Sequence, residues 1–117
     1  MNLRLVRDIL EYRGHHVDVA TNVSEARVWL TGPPPDLVLL DVQIPGGGGA
    51  LVLRELRTNL LWSTVPVLAV TALAMEGDRE RLLASGFDGY LSKPIDTRSF
   101  GSVVESFLVD KESGDDL

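Results

Sequence analysis

Two short stretches, LVLL at 37–40 and VPVLAVT at 65–71, are apolar almost without interruption. Unbroken runs of this length, without the alternation of a half-exposed strand, mark strands covered on both faces. Such strands belong to parallel sheets. Parallel neighbours need a crossover segment between them, and here that segment reads as a helix. The first run is driven straight into an acid, Asp41, and the second ends on a hydroxyl, Thr71.

The rest of the chain follows the same alternation. Leu3, Val6 and Leu10 have helical spacing, and Gly14 suits the position just past a helix end. HHVDVA follows, and its Val17 and Val19 alternate with polar residues, which predicts a half-buried or edge strand over 16–20. Asn22 or Ser24 can cap a short helix that TGPPP terminates. Val52, Leu53, Leu56 and Leu60 form a second helical stripe. A charged helix is expected over 75–85, stopped by Gly86, then a short strand GYLS at 89–92. A final helix carries Phe100, Val103, Val104, Phe107 and Leu108 on one face. Strand and helix in alternation predict one open α/β domain over residues 1–109, with helices on both faces of a parallel sheet. Residues 110–117 carry four acids and one lysine and read as a frayed acidic tail.

Composition removes several function classes. Eleven basic against seventeen acidic residues leave a net charge of −6, which argues against binding to a phosphate backbone. The chain contains no cysteine, so disulfides, thiolate metal sites and cysteine nucleophiles are excluded. No apolar stretch approaches the roughly 20 residues that span a bilayer and no signal peptide opens the chain, so the expected location is the cytoplasm. The adjacent His15 and His16 begin a strand and so face opposite ways; they cannot chelate one metal together. Trp29 and Trp62 read as packing residues.

In open α/β sheets, chemistry collects outside the carboxyl ends of the strands. Asp41, Thr71 and Lys93 each close or follow a strand, which brings an acid, a hydroxyl and an ammonium to one edge of the sheet. Asp41 can act as a nucleophile, Lys93 as the counter-charge of an anion and Thr71 as a donor to an oxyanion.

With those residues in view, LVLLDVQIP, PVLAVTALA and GFDGYLSKPID together resemble the receiver domain of two-component response regulators, from residue 2 to about 109. The likeness extends to single-domain receivers and to those attached to hybrid sensor kinases. It implies a flavodoxin-like, CheY-like fold and a role for each residue. Asp41 would accept a phosphoryl group from a histidine kinase or a histidine phosphotransfer protein. Thr71 would be the switch hydroxyl and Lys93 the partner of a phosphoryl oxygen. Tyr90 would be the aromatic that turns inward when Thr71 moves. Gln43 would offer its backbone carbonyl to Mg²⁺ beside Asp41, and Ala72 would leave room for the phosphoryl group. Pro94 would follow a cis peptide, and Pro45 with Gly49 would shape the loop beside the acid. The surface over 75–109 would meet a downstream protein. Nothing in the pattern suggests an enzyme acting on a small substrate. The glycines at 46–49 lack the Lys-Ser or Lys-Thr of a phosphate-binding P-loop.

One part of the family pattern has no counterpart. Receivers begin with a central strand followed by a pair of acids that hold Mg²⁺, whereas this chain opens directly on a helix, and Met1-Asn2-Leu3 matches only the end of that run. Met1 is therefore expected to correspond to an internal methionine of a longer reading frame. Asp8 lies roughly 9 Å along the helix from Asn2, at about 1.5 Å per residue, too far to replace the acids. With Asp41 and one carbonyl as ligands, Mg²⁺ binding is expected to be weak and phosphate uptake poor. The alternative reading is a phosphorylation-independent pseudo-receiver that serves as a protein-interaction module. The missing strand would be made good by pairing 16–20 with 37–41, or by a homodimer or strand exchange with a second copy.

Overall fold

The computed structural model describes residues 2–42, 48–72 and 77–115, with side chains to residue 108. Within it the chain forms two units, residues 20–93 and residues 2–19 with 94–115.

The larger unit is built on β2 (Val67–Thr71), every residue of which is buried. Its β-branched and small side chains suit a strand packed on both faces. It pairs in parallel with β1 (Val38–Asp41) on one edge and β3 (Gly89–Ser92) on the other, giving the order β1-β2-β3. The register sets Asp41 opposite Val70 and Thr71 opposite Ser92, so the three strands end nearly level. Two helices supply one cover for this sheet. α2 (Val23–Trp29) starts where the Asn22 side chain accepts from the Glu25 amide, while the Glu25 carboxylate accepts from Thr21. Asn22 is thus the side-chain N-cap, and Glu25 reaches back one residue beyond it to hold the incoming chain. α3 (Gly49–Thr58) turns Val52, Leu53 and Leu56 inward, and with Val23, Leu40, Trp62, Val67, Ala69 and Phe87 they make the core. Trp62 thus packs as expected, its ring N–H reaching the Gly32 carbonyl at 3.1 Å. α4 (Asp78–Ser85) ends at Gly86, which takes φ +113°, a left-handed cap that favours glycine.

One side chain ties the far end of this unit together. The Arg57 guanidinium donates to the carbonyls of Ser63, Val65 and Gly86 and to the Asp88 carboxylate at 2.7–3.2 Å. The same Asp88 oxygen accepts from the Val67 amide at 2.7 Å. Arg57 therefore fixes the loop before β2 against the turn before β3, and only a planar fork with five donors can make all these bonds.

In the smaller unit, α1 (Leu3–Tyr12) is capped by Asn2, whose side chain accepts from the Leu5 amide, and it ends before Gly14 at φ +93°. α5 (Phe100–Asp115) continues past residue 109, the end suggested by the acidic tail. Arg13 crosses α5 at Gly101, where an added Cβ would run into Arg13 Cδ, and it grips both Glu105 oxygens at 2.7 and 2.8 Å. His15 Nε2 adds a third contact to Glu105 at 2.8 Å.

The expected strand over 16–20 does not form. The segment keeps the predicted alternation, with His16 and Asp18 exposed and Val17 and Val19 half-buried, yet it carries no ladder. Alternation in exposure needs only an extended backbone over an apolar surface. A strand also needs a neighbour in register, and among the described residues the sheet stops at β1. The direct pairing of 16–20 with 37–41 is accordingly not among the strand ladders. Residues 75 and 76 of the expected charged helix lie outside the described residues.

Two stability predictions follow from these clusters. Arg57→Ala should destabilise the protein by about 2–4 kcal/mol in urea melts because it strips a donor from several acceptors at once, with only partial recovery in Arg57→Lys. In the smaller unit, the Arg13 hydrogen bonds, with His15 beside them, hold the Glu105 carboxyl down to about 2. A lowered folded-state value means that this contribution is present above the unfolded value of about 4.3 and is lost as pH falls toward 2. Thermal melts of wild type and Glu105→Gln should therefore differ at neutral pH and converge only as pH falls below about 2, the gap narrowing in salt because the pair is partly exposed.

Candidate functional site

The carboxyl ends of the three strands carry the site. β1 delivers Asp41 as its last residue, and the Val42 amide that follows donates to the Val70 carbonyl at 3.2 Å. On the other edge of β2 the Lys93 amide donates to the Thr71 carbonyl at 2.8 Å. β2 therefore holds the residues just past β1 and β3 by one backbone bond each. Side chains alternate along a strand, and paired residues in a parallel ladder share a face. Asp41, Val70, Leu91 and Lys93 consequently lie on one face. Val67, Ala69 and Thr71 lie on the other, together with Tyr90.

The first pair meets. Lys93 Nζ stands 2.8 Å from Asp41 Oδ2, with the two side chains only 23% and 15% exposed. An ammonium reaches across the end of the central strand to an acid 52 residues earlier in the chain. Partial burial strengthens such a pair relative to one in open water. Thr71 is buried at the end of the adjoining strand. Tyr90 is half-buried and packed against the core, on the face that Thr71 shares. The acid, the hydroxyl and the ammonium expected at one sheet edge are thus found there, the acid and the ammonium in direct contact.

The loop residues divide. Gln43 and Pro45 lie outside the described residues. Gly49 is buried as the first residue of α3, its N–H donating to the Val42 carbonyl at 3.0 Å. Ala72 is exposed immediately beyond Thr71. Pro94 is exposed after Lys93. The backbone of Val42, which carries no reactive side chain to mark it in the sequence, receives α3 at close range. The run of glycines after Asp41 was its only signal.

Among the described residues no cluster of three or more acidic or histidine side chains is placed to hold a metal ion. Asp41 places a carboxylate at the strand ends, and an ammonium meets one of its oxygens. Mg²⁺ commonly takes one or two carboxylates with several waters, so Asp41 would supply one ligand to such an ion, and the expected backbone ligand Gln43 lies outside the described residues.

Comparison with known proteins places the whole arrangement. The pattern of the response regulator receiver domain matches residues 1–105. A polar-differentiation response regulator, DivK, of Brucella anthropi is 37% identical over 94% of this chain and 89% of its own length. Its counterpart in Brucella ovis is 36% identical over the same shares. Among solved structures, the receiver domain of a sensor histidine kinase of Pseudomonas aeruginosa, with magnesium coordinated in its active-site cleft, superposes with a TM-score of 0.81. It is 27% identical and covers 92% of this chain and 88% of that one. The signal receiver domain of a histidine kinase from Syntrophus aciditrophicus gives a TM-score of 0.80 at 30% identity, over 92% and 82%. These matches establish the flavodoxin-like, CheY-like fold class.

The Asp41–Lys93 contact has a measurable energetic signature. Lys93→Met leaves a half-buried carboxylate without its counter-charge and should cost about 1–3 kcal/mol. Adding Asp41→Asn should recover much of that loss, and a double-mutant cycle in urea reads the coupling directly.

Proposed function

Because the chain belongs to the response regulator receiver family, we propose that it is the phosphoacceptor module of a two-component phosphorelay, with Asp41 as the acceptor. The 2.8 Å contact between Lys93 and Asp41 at the strand ends carries this reading, since it sets a counter-charge where a transferred phosphoryl group would sit. A carboxylate oxygen of Asp41 attacks the phosphorus of a phosphohistidine on a histidine kinase or a phosphotransfer protein. The new O–P bond forms as the P–N bond breaks, and the electron pair leaves with the imidazole. Such transfer asks the protein for positioning and charge neutralisation more than for covalent chemistry.

The acyl phosphate adds roughly −1.5 to −2 of charge and strong acceptor oxygens. Lys93 exchanges its carboxylate oxygen for a phosphoryl oxygen, and the Thr71 hydroxyl is drawn toward the new acceptor. Tyr90 shares the Thr71 face, so movement at Thr71 alters its packing. A change in packing at one element can bias a two-state surface. Its readout is a protein partner at α4 and β3, where Arg79, Glu80, Arg81 and Leu83 are exposed. Among the described residues no helix is long and apolar enough to cross a membrane. The protein works in the cytoplasm as a signalling acceptor and not as an enzyme on a small substrate.

That Asp41 belongs to no cluster of three or more acidic or histidine side chains among the described residues favours a second reading, a pseudo-receiver that binds its partner without phosphate or Mg²⁺. Labelling separates the two. On the first reading, radiolabelled acetyl phosphate with excess Mg²⁺ gives slow, sub-stoichiometric labelling that is lost in Asp41→Asn and sharply reduced in Lys93→Met. Calorimetry should show Mg²⁺ binding no tighter than about 1 mM. Absence of any Asp41-dependent label, from acetyl phosphate or from a phosphorylated histidine donor, would leave the second reading standing.

A further inference from the structure

Gly48 and Gly49, which follow Asp41 and Val42 across the loop, differ sharply in what they permit. Gly48 takes φ +86°, and a Cβ there would stand 3.8 Å from the Val42 carbonyl oxygen, an ordinary contact. Gly49 has no positive φ and needs no conformational freedom. A Cβ built on it would instead lie 2.7 Å from Val42 Cα, 3.0 Å from the Asp41 carbonyl oxygen and 3.3 Å from the Val42 carbonyl carbon. All three atoms are backbone, so no rotamer change relieves the overlap. The Val42 amide is also held by the Val70 carbonyl at 3.2 Å, which limits how far that peptide can retreat.

The geometry points to Gly49 as a positioning residue for Asp41. Lacking a side chain, it lets α3 seat directly on the Asp41–Val42 peptide, and that seating fixes where the carboxylate stands against Lys93 Nζ. Val42 is held from two sides, its N–H by the Val70 carbonyl of β2 and its C=O by the Gly49 N–H of α3. A wedge of one methyl between α3 and β1 must move one or the other. The consequence for chemistry rests on the reading of Asp41 as phosphoacceptor; the geometric claim does not. Displacement of a reacting group by about 1 Å can cost on the order of 100-fold in rate, so even partial accommodation should register.

Gly49→Ala and Gly48→Ala provide the test, each in the full chain. The second strains the same loop through its positive φ but inserts no wedge. In the first arm, the carboxyl ¹³C resonance of Asp41, assigned by its loss in Asp41→Asn, is compared across variants. Gly49→Ala should move it together with the Asp41 and Val42 amide signals, and Gly48→Ala should leave it in place. In the second arm, phosphoramidate labels the protein in a single turnover; the O–P bond forms as the P–N bond breaks and ammonia departs with the electron pair. Gly49→Ala should slow the rate at least about tenfold with the labelled fraction of folded protein unchanged. A merely architectural role would lower the labelled fraction and leave the rate per folded molecule alone. If the wild type takes no label, the phosphoacceptor reading fails, and the carboxyl resonance still decides the positioning claim. That claim is overturned if Gly49→Ala leaves the resonance unmoved or if Gly48→Ala moves it equally. It is overturned too if Gly49→Ala stays unfolded even in a stabilising osmolyte, since the glycine would then serve the architecture alone.

Discussion

The parallel pairing of β2 on both of its edges is the constraint from which the rest follows. Its residues are all buried, so every backbone N–H and C=O along it must find a partner inside the protein. The ladders to β1 and β3 meet that demand, and in doing so they set the three strand ends level. Beyond the last ladder rungs, β2 still offers the carbonyls of Val70 and Thr71, and these hold the Val42 and Lys93 amides. The site is therefore an extension of the sheet's own hydrogen bonding. Asp41 and Lys93 meet because alternation puts them on one face and the register puts them level.

The two ends of this sheet are held by different means. At the start of the strands, Arg57 and Asp88 clamp three carbonyls and an amide with charge-assisted bonds. At the other end, the clamp is a close approach without a side chain between, Gly49 against the Val42 backbone, together with one ion pair. The first end resists change. The second can exchange partners, because an ammonium beside a carboxylate can turn to a new anion without any loss of backbone bonding. A phosphoacceptor needs both properties: a rigid frame and one replaceable interaction at its rim.

A good deal of this was legible in the amino-acid order. The unbroken runs at 37–40 and 65–71 gave the two strands because burial on both faces leaves no room for polar alternation. Asn22 and the glycines at 14 and 86 marked helix ends, through a side-chain acceptor in one case and left-handed backbone in the others. Asp41, Thr71 and Lys93 were recognisable as a set from their common place after strands. The segment 16–20 misled for a physical reason: its alternation reports an extended chain with one wet and one dry side, and that pattern is the same with or without a neighbouring strand. The Arg57 clamp gave no signal either, since its acceptors are mostly backbone carbonyls, which every residue possesses.

The sequence by itself determined which segments are buried and which residues can do chemistry, because hydrophobic pattern and side-chain type are local properties. It also carried the family, through three motifs in order. Only the tertiary structure decided distance. That an ammonium stands 2.8 Å from a carboxylate 52 residues away depends on strand register. That a side chain at residue 49 would press on the Val42 backbone depends on how closely a helix approaches a neighbouring segment. Both are properties of pairs of segments, fixed when packing brings distant parts of the chain together, and no local pattern encodes them.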